Sequence, residues 1–152
     1  MPKPSFNSRI ESEFLTSAPN LSKCPAPNLS EVAFAGRSNA GKSSVLNQIT
    51  GNKSLAKVSK TPGRPQMLNF FETKAGGYLV DLPGYGYAKT SKSDQIAWQK
   101  SVNEYLSFRE TLRALVLVMD IRRPNQEYDQ ELINWAKAVS YTHLTLPTIL
   151  LV

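Results

Sequence analysis

The feature that most constrains this chain is a short segment that begins with a glycine and ends with a glycine, a lysine and a serine. It matches the pattern G-x-x-x-x-G-K-[ST], and its residues are Gly36, Arg37, Ser38, Asn39, Ala40, Gly41, Lys42 and Ser43. An apolar run at 31–35 precedes it, and apolar residues at helical spacing follow it to residue 49. The pattern requires this strand, turn and helix context, so the sequence predicts a phosphate-binding P-loop.

Each specified residue of the loop has a chemical reason. The glycines let the backbone wrap closely around a phosphate, and the N-terminus of the following helix adds its dipole. Lys42 is expected to neutralise the β- and γ-phosphates, and the Ser43 hydroxyl to ligate Mg²⁺. The alternative is a glycine turn that binds nothing, but such a turn does not require a lysine and a serine at these positions.

A second segment, Asp81-Leu82-Pro83-Gly84, directly follows a predicted strand. A carboxylate at the carboxyl end of a strand suits a group that holds Mg²⁺ through water, which we expect of Asp81. The backbone N–H of Gly84 is expected to reach a γ-phosphate. The D-x-x-G pattern alone is weak, yet its position downstream of a P-loop favours a GTPase-type switch.

The order of predicted elements is strand, helix, hairpin, helix, strand, helix. The strands are 31–35, 67–73, 78–81 and 114–119, and the helices are 42–49, 93–108 and a third that ends near 139 with Asn125 as its cap. This alternation predicts an α/β fold with a mainly parallel sheet and helices on both faces. A length of 152 residues fits a single domain.

Composition narrows the protein class. The net charge of +6 permits a polyanionic partner without requiring one. The single cysteine, Cys24, excludes an intrachain disulfide framework and fits a reducing compartment. The start of the chain is not typical of a signal peptide, and no apolar run has the roughly 18 residues that span a bilayer. We therefore expect a cytoplasmic protein with no membrane partner.

Four stretches of the chain resemble the EngB (YihA-type) family, in the group of bacterial GTPases that includes Era and EngA. They are Glu31–Ser44, Ser59–Arg64, Asp81–Ala88 and Met119–Arg122, and the likeness runs from about Ser17 to Val139. The resemblance implies a Ras-like G domain, a P-loop NTPase fold, that binds GTP and GDP and hydrolyses GTP with Mg²⁺. It also implies a monomer that acts in assembly of the large ribosomal subunit, with contact to rRNA, and a link to normal septation and cell division.

The resemblance also extends the set of expected nucleotide-binding residues to Ser44, Gly63 and Arg64. Asn39 matches an asparagine that is associated with K⁺-assisted hydrolysis in related GTPases. Tyr85 stands where a Ras-like enzyme carries its water-orienting glutamine, so intrinsic hydrolysis should be slow.

The first switch departs from the family pattern. Pro65 replaces the threonine whose hydroxyl binds Mg²⁺, and proline supplies neither a hydroxyl nor a backbone N–H. If the register holds, one metal ligand is missing.

The base-recognition motif of this family, [NT]-K-x-D, is missing from the sequence. Residues 91–94 (Ser-Lys-Ser-Asp) resemble it, but they follow a loop rather than a strand. The last residues, 140–152, do not resemble the family, and we expect a truncated or chimeric copy whose fold is incomplete at the C-terminus. We divide the chain into an N-terminal arm (1–30), a partial G domain (31–139) and an atypical tail (140–152), in which 148–152 can pair as a strand.

Two other functions stay open at this stage. One is a different P-loop enzyme, an ATPase or a small-molecule kinase. The other is a nucleotide-binding assembly factor with negligible hydrolysis, which Tyr85 and Pro65 favour. Residues 51–71 contain no acidic residue, so this segment is either an rRNA contact or a solvated loop. We expect Trp98 and Trp135 to be core residues.

Overall fold

The computed structural model of the chain describes residues 9–37, 41–55, 67–84, 92–120, 122–123, 126–139 and 148–151. Within these ranges, the side chains of Asp94, Trp135, Ala138, Val139 and residues 148–151 are not described.

Strands and helices alternate along most of the described chain. The strands are β1 (Ser12–Ala18), β2 (Glu31–Gly36), β3 (Leu68–Thr73), β4 (Tyr78–Asp81), β5 (Leu112–Asp120) and β6 (Thr148–Leu151). The helices are α1 (Lys42–Thr50), α2 (Lys92–Phe108) and α3 (Glu127–Val139), and a single 3-10 turn covers Leu21–Lys23.

The strands form one sheet in the order β1-β3-β4-β2-β5-β6. Strand β2 pairs in parallel with β4 on one side and with β5 on the other, and β5 pairs in parallel with β6. The antiparallel pairs are β1 with β3 and β3 with β4. The centre of the sheet is therefore parallel, and the carboxyl ends of β2, β4 and β5 lie at one edge.

Two apolar cores lie on opposite faces of this sheet, because successive side chains of a strand point to opposite sides. On β2, Ala33 and Ala35 belong to one core and Phe34 belongs to the other. Helices α2 and α3 cover the first core, and α1 covers the second with the buried side chains Val45 and Leu46. A parallel sheet that is buried on both faces explains the nearly continuous apolar run of β5.

The structure confirms the predicted fold class, an α/β fold with a mainly parallel sheet and helices on both faces. The predicted hairpin is β3 and β4, and the tail residues 148–151 pair with β5. On the predicted face of α2, three residues are buried and Trp98 is half-buried against the core. Asn125, the expected helix cap, lies outside the described residues, as does the side chain of Trp135.

Strand β1 was not predicted. It lies within residues 1–30, which were predicted to be an N-terminal arm, and it pairs with β3 at the edge of the sheet. Its pairing shifts register between Phe14 and Thr16, so the alternation that identifies a strand is interrupted. The division of the chain at residues 30 and 139 stays a prediction.

Apolar side chains that remain exposed are concentrated on two elements. Phe14 and Leu15 are exposed on β1, and Ile96 and Phe108 on α2. Within the described ranges, none of the helices has the length and apolar character needed to cross a membrane.

Candidate functional site

Two glycines shape the turn between β2 and α1 for different reasons. At Gly36, the last residue of β2, a Cβ atom would lie 2.7 Å from the carbonyl oxygen of Val118 on the neighbouring strand β5. That approach is closer than a carbon and an oxygen can tolerate, so the packing of β2 on β5 requires glycine. Gly41 has a φ of +95° at the N-cap of α1, a left-handed conformation that other residues rarely adopt.

Lys42 is the first residue of α1, and its side chain reaches back to the carboxyl end of β4. Its Nζ donates hydrogen bonds to Oδ1 of Asp81 and to the carbonyl oxygen of Leu82. The exposed fractions of the two charged side chains are 11% for Lys42 and 6% for Asp81. An ion pair with so little solvent contact is only weakly screened, so it links the P-loop firmly to the segment after β4.

The segment after β4 is held by three different elements. The backbone N–H of Leu82 donates to the carbonyl oxygen of Phe34 on β2 at 3.0 Å. Lys42 of α1 binds the carbonyl oxygen of Leu82. The indole Nε1–H of Trp98 on α2 donates to the carbonyl oxygen of Pro83 at 3.2 Å. Neither the bond from Trp98 nor the bond to Leu82 was predicted from the sequence.

Two arginines, Arg37 and Arg122, follow strands that end at the same edge of the sheet. Arg37 donates to the side-chain oxygen of Gln126 at 3.3 Å, which connects the P-loop to the start of α3. Asp120, the last residue of β5, accepts both Nε and Nη2 of Arg122 and also the Arg122 backbone N–H. These hydrogen bonds, together with the charge of Arg122, lower the pKa of Asp120 to about 2.

Several predicted site residues lie outside the described residues. They are Ser38, Asn39 and Ala40 of the P-loop, Gly63, Arg64 and Pro65 of the first switch, and Tyr85. The structure brings Lys42 together with Asp81 and Leu82 through hydrogen bonds. Gly36 ends β2, Gly41 precedes α1, Ser43 and Ser44 follow Lys42 in α1, and Gly84 follows Pro83.

Comparison with known proteins decides which family has this arrangement. The model of a family described as 50S ribosome-binding GTPase matches residues 31–152. A probable GTP-binding protein EngB from Haemophilus influenzae (strain PittGG) is 52% identical over 138 residues, which are 91% of this chain and 67% of that protein. The chain belongs to the EngB family.

Two further EngB relatives are similar to this chain over shorter stretches. Probable GTP-binding proteins EngB from Hamiltonella defensa and Idiomarina loihiensis are 58% identical over 123 residues and 56% identical over 124 residues. The chain covers 60% of the length of each, so it spans about two thirds or less of the EngB proteins it matches. The crystal structure of a probable GTP-binding protein engB aligns with a TM-score of 0.49 at 21% identity, over 80% of this chain and 67% of that chain.

The chain also has a buried charged cluster that was not predicted from the sequence. Glu31, at the opposite end of β2 from the P-loop, is fully buried and pairs with Arg109 at 2.7 Å. Its carboxylate also accepts hydrogen bonds from Tyr105 at 2.8 Å and from Thr111 at 2.6 Å. The partners lie 74 to 80 residues away in sequence, so spacing alone carries no signal for this cluster.

The donor set at the P-loop edge suits Mg²⁺. Ser43 in the first turn of α1 supplies a hydroxyl, and Asp81 supplies a nearly buried carboxylate. Mg²⁺ prefers oxygen ligands and is usually held by one or two protein groups together with waters and substrate phosphates. Two hard oxygen donors beside a phosphate-binding turn therefore fit this ion.

Proposed function

We propose that this chain binds GTP and GDP with Mg²⁺ at the P-loop and hydrolyses GTP. The observation that carries the proposal is the convergence of Lys42 and Asp81 at the carboxyl ends of β2 and β4. Ligands of open α/β sheets bind at this end of the strands. Membership of the EngB family supports guanine as the base.

The proposed roles follow from the positions of the residues. Residues 36–44 wrap the phosphates with main-chain N–H groups, assisted by the dipole of α1. Lys42 exchanges its bonds to Asp81 and Leu82 for bonds to the phosphates, which releases the Asp81 carboxylate. Ser43, and Asp81 through water, would hold Mg²⁺, which neutralises the charge of the phosphate oxygens when it is bound. Gly63 and Arg64 complete the proposed nucleotide-binding set from the first switch.

Slow hydrolysis is part of the proposal. Tyr85 cannot orient a water molecule as a glutamine does, and Pro65 removes one hydroxyl ligand. K⁺ bound with the help of Asn39 is proposed to assist the reaction. The same two substitutions favour the second candidate function, a nucleotide-binding assembly factor with negligible hydrolysis.

The cellular role is proposed from the family. We propose that the protein is a cytoplasmic monomer that acts on the large ribosomal subunit and supports normal cell division. The matching family is described as 50S ribosome-binding GTPase, and residues 51–71 carry basic residues without an acidic one. Such a segment suits phosphate contacts with rRNA, whose affinity would fall steeply with added salt.

Base selectivity separates the GTPase from an ATPase or a small-molecule kinase. Fluorescent analogues of GDP, GTP and ATP are titrated in Mg²⁺, with the fluorescence anisotropy as the measurement. We expect the guanine nucleotides to bind more tightly than ATP. Equal affinity for ATP would exclude the GTPase assignment for this chain.

Hydrolysis is tested by phosphate release. The assay compares K⁺ with Na⁺ at equal ionic strength, with and without purified large ribosomal subunits. Faster release in K⁺ supports a cation-assisted GTPase. Binding without release under all four conditions supports the assembly factor instead.

A further inference from the structure

Trp98 connects helix α2 to the segment that follows β4. Its Nε1–H donates to the carbonyl oxygen of Pro83 at 3.2 Å, and the ring is half-buried against the core. The centroid of the Tyr128 ring on α3 lies 5.3 Å from that of Trp98, with the ring planes tilted by 41°. The ring contact with α3 restricts the orientation of the indole, and its donor is directed at the carbonyl oxygen of Pro83.

That peptide group is the one between Pro83 and Gly84. The preceding polar groups of the segment already have partners, because Leu82 donates to Phe34 and its carbonyl oxygen accepts Lys42. Proline has no backbone N–H. The next main-chain donor is therefore the N–H of Gly84, and no described residue accepts it.

In a trans peptide group, the direction of the carbonyl oxygen determines the direction of the N–H. The carbonyl oxygen of Pro83 and the N–H of Gly84 belong to one plane and point in opposite directions. A hydrogen bond on the oxygen therefore fixes the direction of the N–H, which points away from Trp98. A bonded carbonyl also polarises the peptide and strengthens its N–H as a donor.

We infer that Trp98 is a positioning residue that aims the Gly84 N–H at the terminal phosphate of a bound nucleoside triphosphate. The inference rests on the proposed function and deepens it, because it assigns to one side chain a contribution to triphosphate binding that diphosphate binding lacks. Trp98 does not touch the nucleotide and acts on it only by orienting the peptide group between Pro83 and Gly84. The diphosphate lacks the phosphate that this N–H would bind, so its affinity is independent of the indole.

The experiment measures two affinities in Mg²⁺ by isothermal titration calorimetry, one for GDP and one for guanylyl imidodiphosphate, a non-hydrolysable triphosphate. Trp98→Phe keeps an aromatic ring beside Tyr128 and removes the donor. We expect its affinity for the triphosphate analogue to fall by roughly 3- to 10-fold, the range for one hydrogen bond, while GDP affinity is unchanged. Unchanged GDP affinity also shows that the variant is folded.

Tyr105→Phe is the matched control. It removes one aromatic hydrogen bond from the far end of the same helix, where the Tyr105 hydroxyl donates to Glu31 at 2.8 Å. It should lower the melting temperature and leave the ratio of the two affinities as in the wild type. If the ratio of the two affinities in Trp98→Phe equals that of the wild type, the inference is wrong while the proposed function stands. Two unchanged affinities and an equal loss of both affinities give this same result. If the wild-type chain binds neither nucleotide, the proposed function fails, and this inference fails with it.

Discussion

At the scale of single residues, Gly36 shows how the P-loop depends on a neighbouring strand. A Cβ at this position would lie 2.7 Å from the carbonyl oxygen of Val118, so β2 could not keep its distance from β5. We expect Gly36→Ala to destabilise the fold by roughly 1–3 kcal/mol, the usual cost of overpacking. Thermal unfolding without nucleotide measures this effect separately from binding. A melting temperature equal to that of the wild type would show that β2 shifts at no cost.

Cys24 provides a test of pH dependence. Burial raises the pKa of its thiol to about 11, with the charge of Glu31 adding to the rise and that of Arg109 opposing it. The neutral thiol is thus favoured in the folded state. Its contribution to stability is complete below the ordinary pKa of 9.0 and is lost as the pH rises through about 11.

The thiolate is the reactive form, so alkylation by iodoacetamide reports this titration. We expect the rate for the folded chain to reach half its maximum near pH 11, and the rate in concentrated urea to do so about two pH units lower. The pH of the half-maximum is the readout, because restricted access to the thiol lowers the alkylation rate without shifting this pH. A half-maximum near pH 9 in the folded chain would contradict the expected burial.

At the scale of elements, the buried cluster around Glu31 ties β2 to the end of α2 and to the segment before β2. Arg109 donates to Glu31 and also to the carbonyl oxygen of Pro25 at 2.8 Å, and its guanidinium lies 5.6 Å from the centroid of the Phe70 ring. Burial alone would lower the pKa of Arg109, but the hydrogen bonds and charge of Glu31 outweigh it and raise the pKa. Arg109 is therefore charged in the folded chain.

Glu31→Gln would leave the charge of Arg109 buried and uncompensated. We expect a loss of about 3–5 kcal/mol in the free energy of unfolding, measured by urea denaturation. The matched control is Glu11→Gln, which breaks an exposed pair with Lys74 whose side chains are 68% and 80% exposed. That change should cost less than about 1 kcal/mol. Equal losses in the two variants would show that burial of the cluster does not matter.

The elements also show what sequence can predict. Helices α1, α2 and α3 and strands β2 to β5 were predicted because their apolar residues follow clear periods between turn residues. Strand β1 was missed, since its register shift interrupts the alternation and most of its residues are exposed at the edge of the sheet. The bond from Trp98 to Pro83 spans 15 residues and that from Arg109 to Glu31 spans 78, so both depend on tertiary packing.

At the scale of the whole molecule, the order of strands in the sheet places the candidate site at the carboxyl ends of β2 and β4. The P-loop follows β2 and the Asp81 segment follows the adjacent parallel strand β4, so motifs 39 residues apart meet at Lys42 and Asp81. The motif positions indicated one shared Mg²⁺ site for the P-loop and Asp81, but they did not predict that β2 and β4 are neighbours. They could not predict that Lys42 pairs with Asp81 itself, which is a matter of side-chain geometry.

The central claim, that this edge of the sheet binds the phosphates of a guanine nucleotide through Lys42, is tested most directly by calorimetric titration of GDP in Mg²⁺. The measurement compares the wild type with Lys42→Ala, and with Lys74→Ala as a control in which an exposed lysine loses its pair with Glu11. Circular dichroism verifies that each variant is folded. We predict at least about a tenfold loss of GDP affinity for Lys42→Ala and none for Lys74→Ala. A folded Lys42→Ala variant that binds GDP as tightly as the wild type would contradict the account.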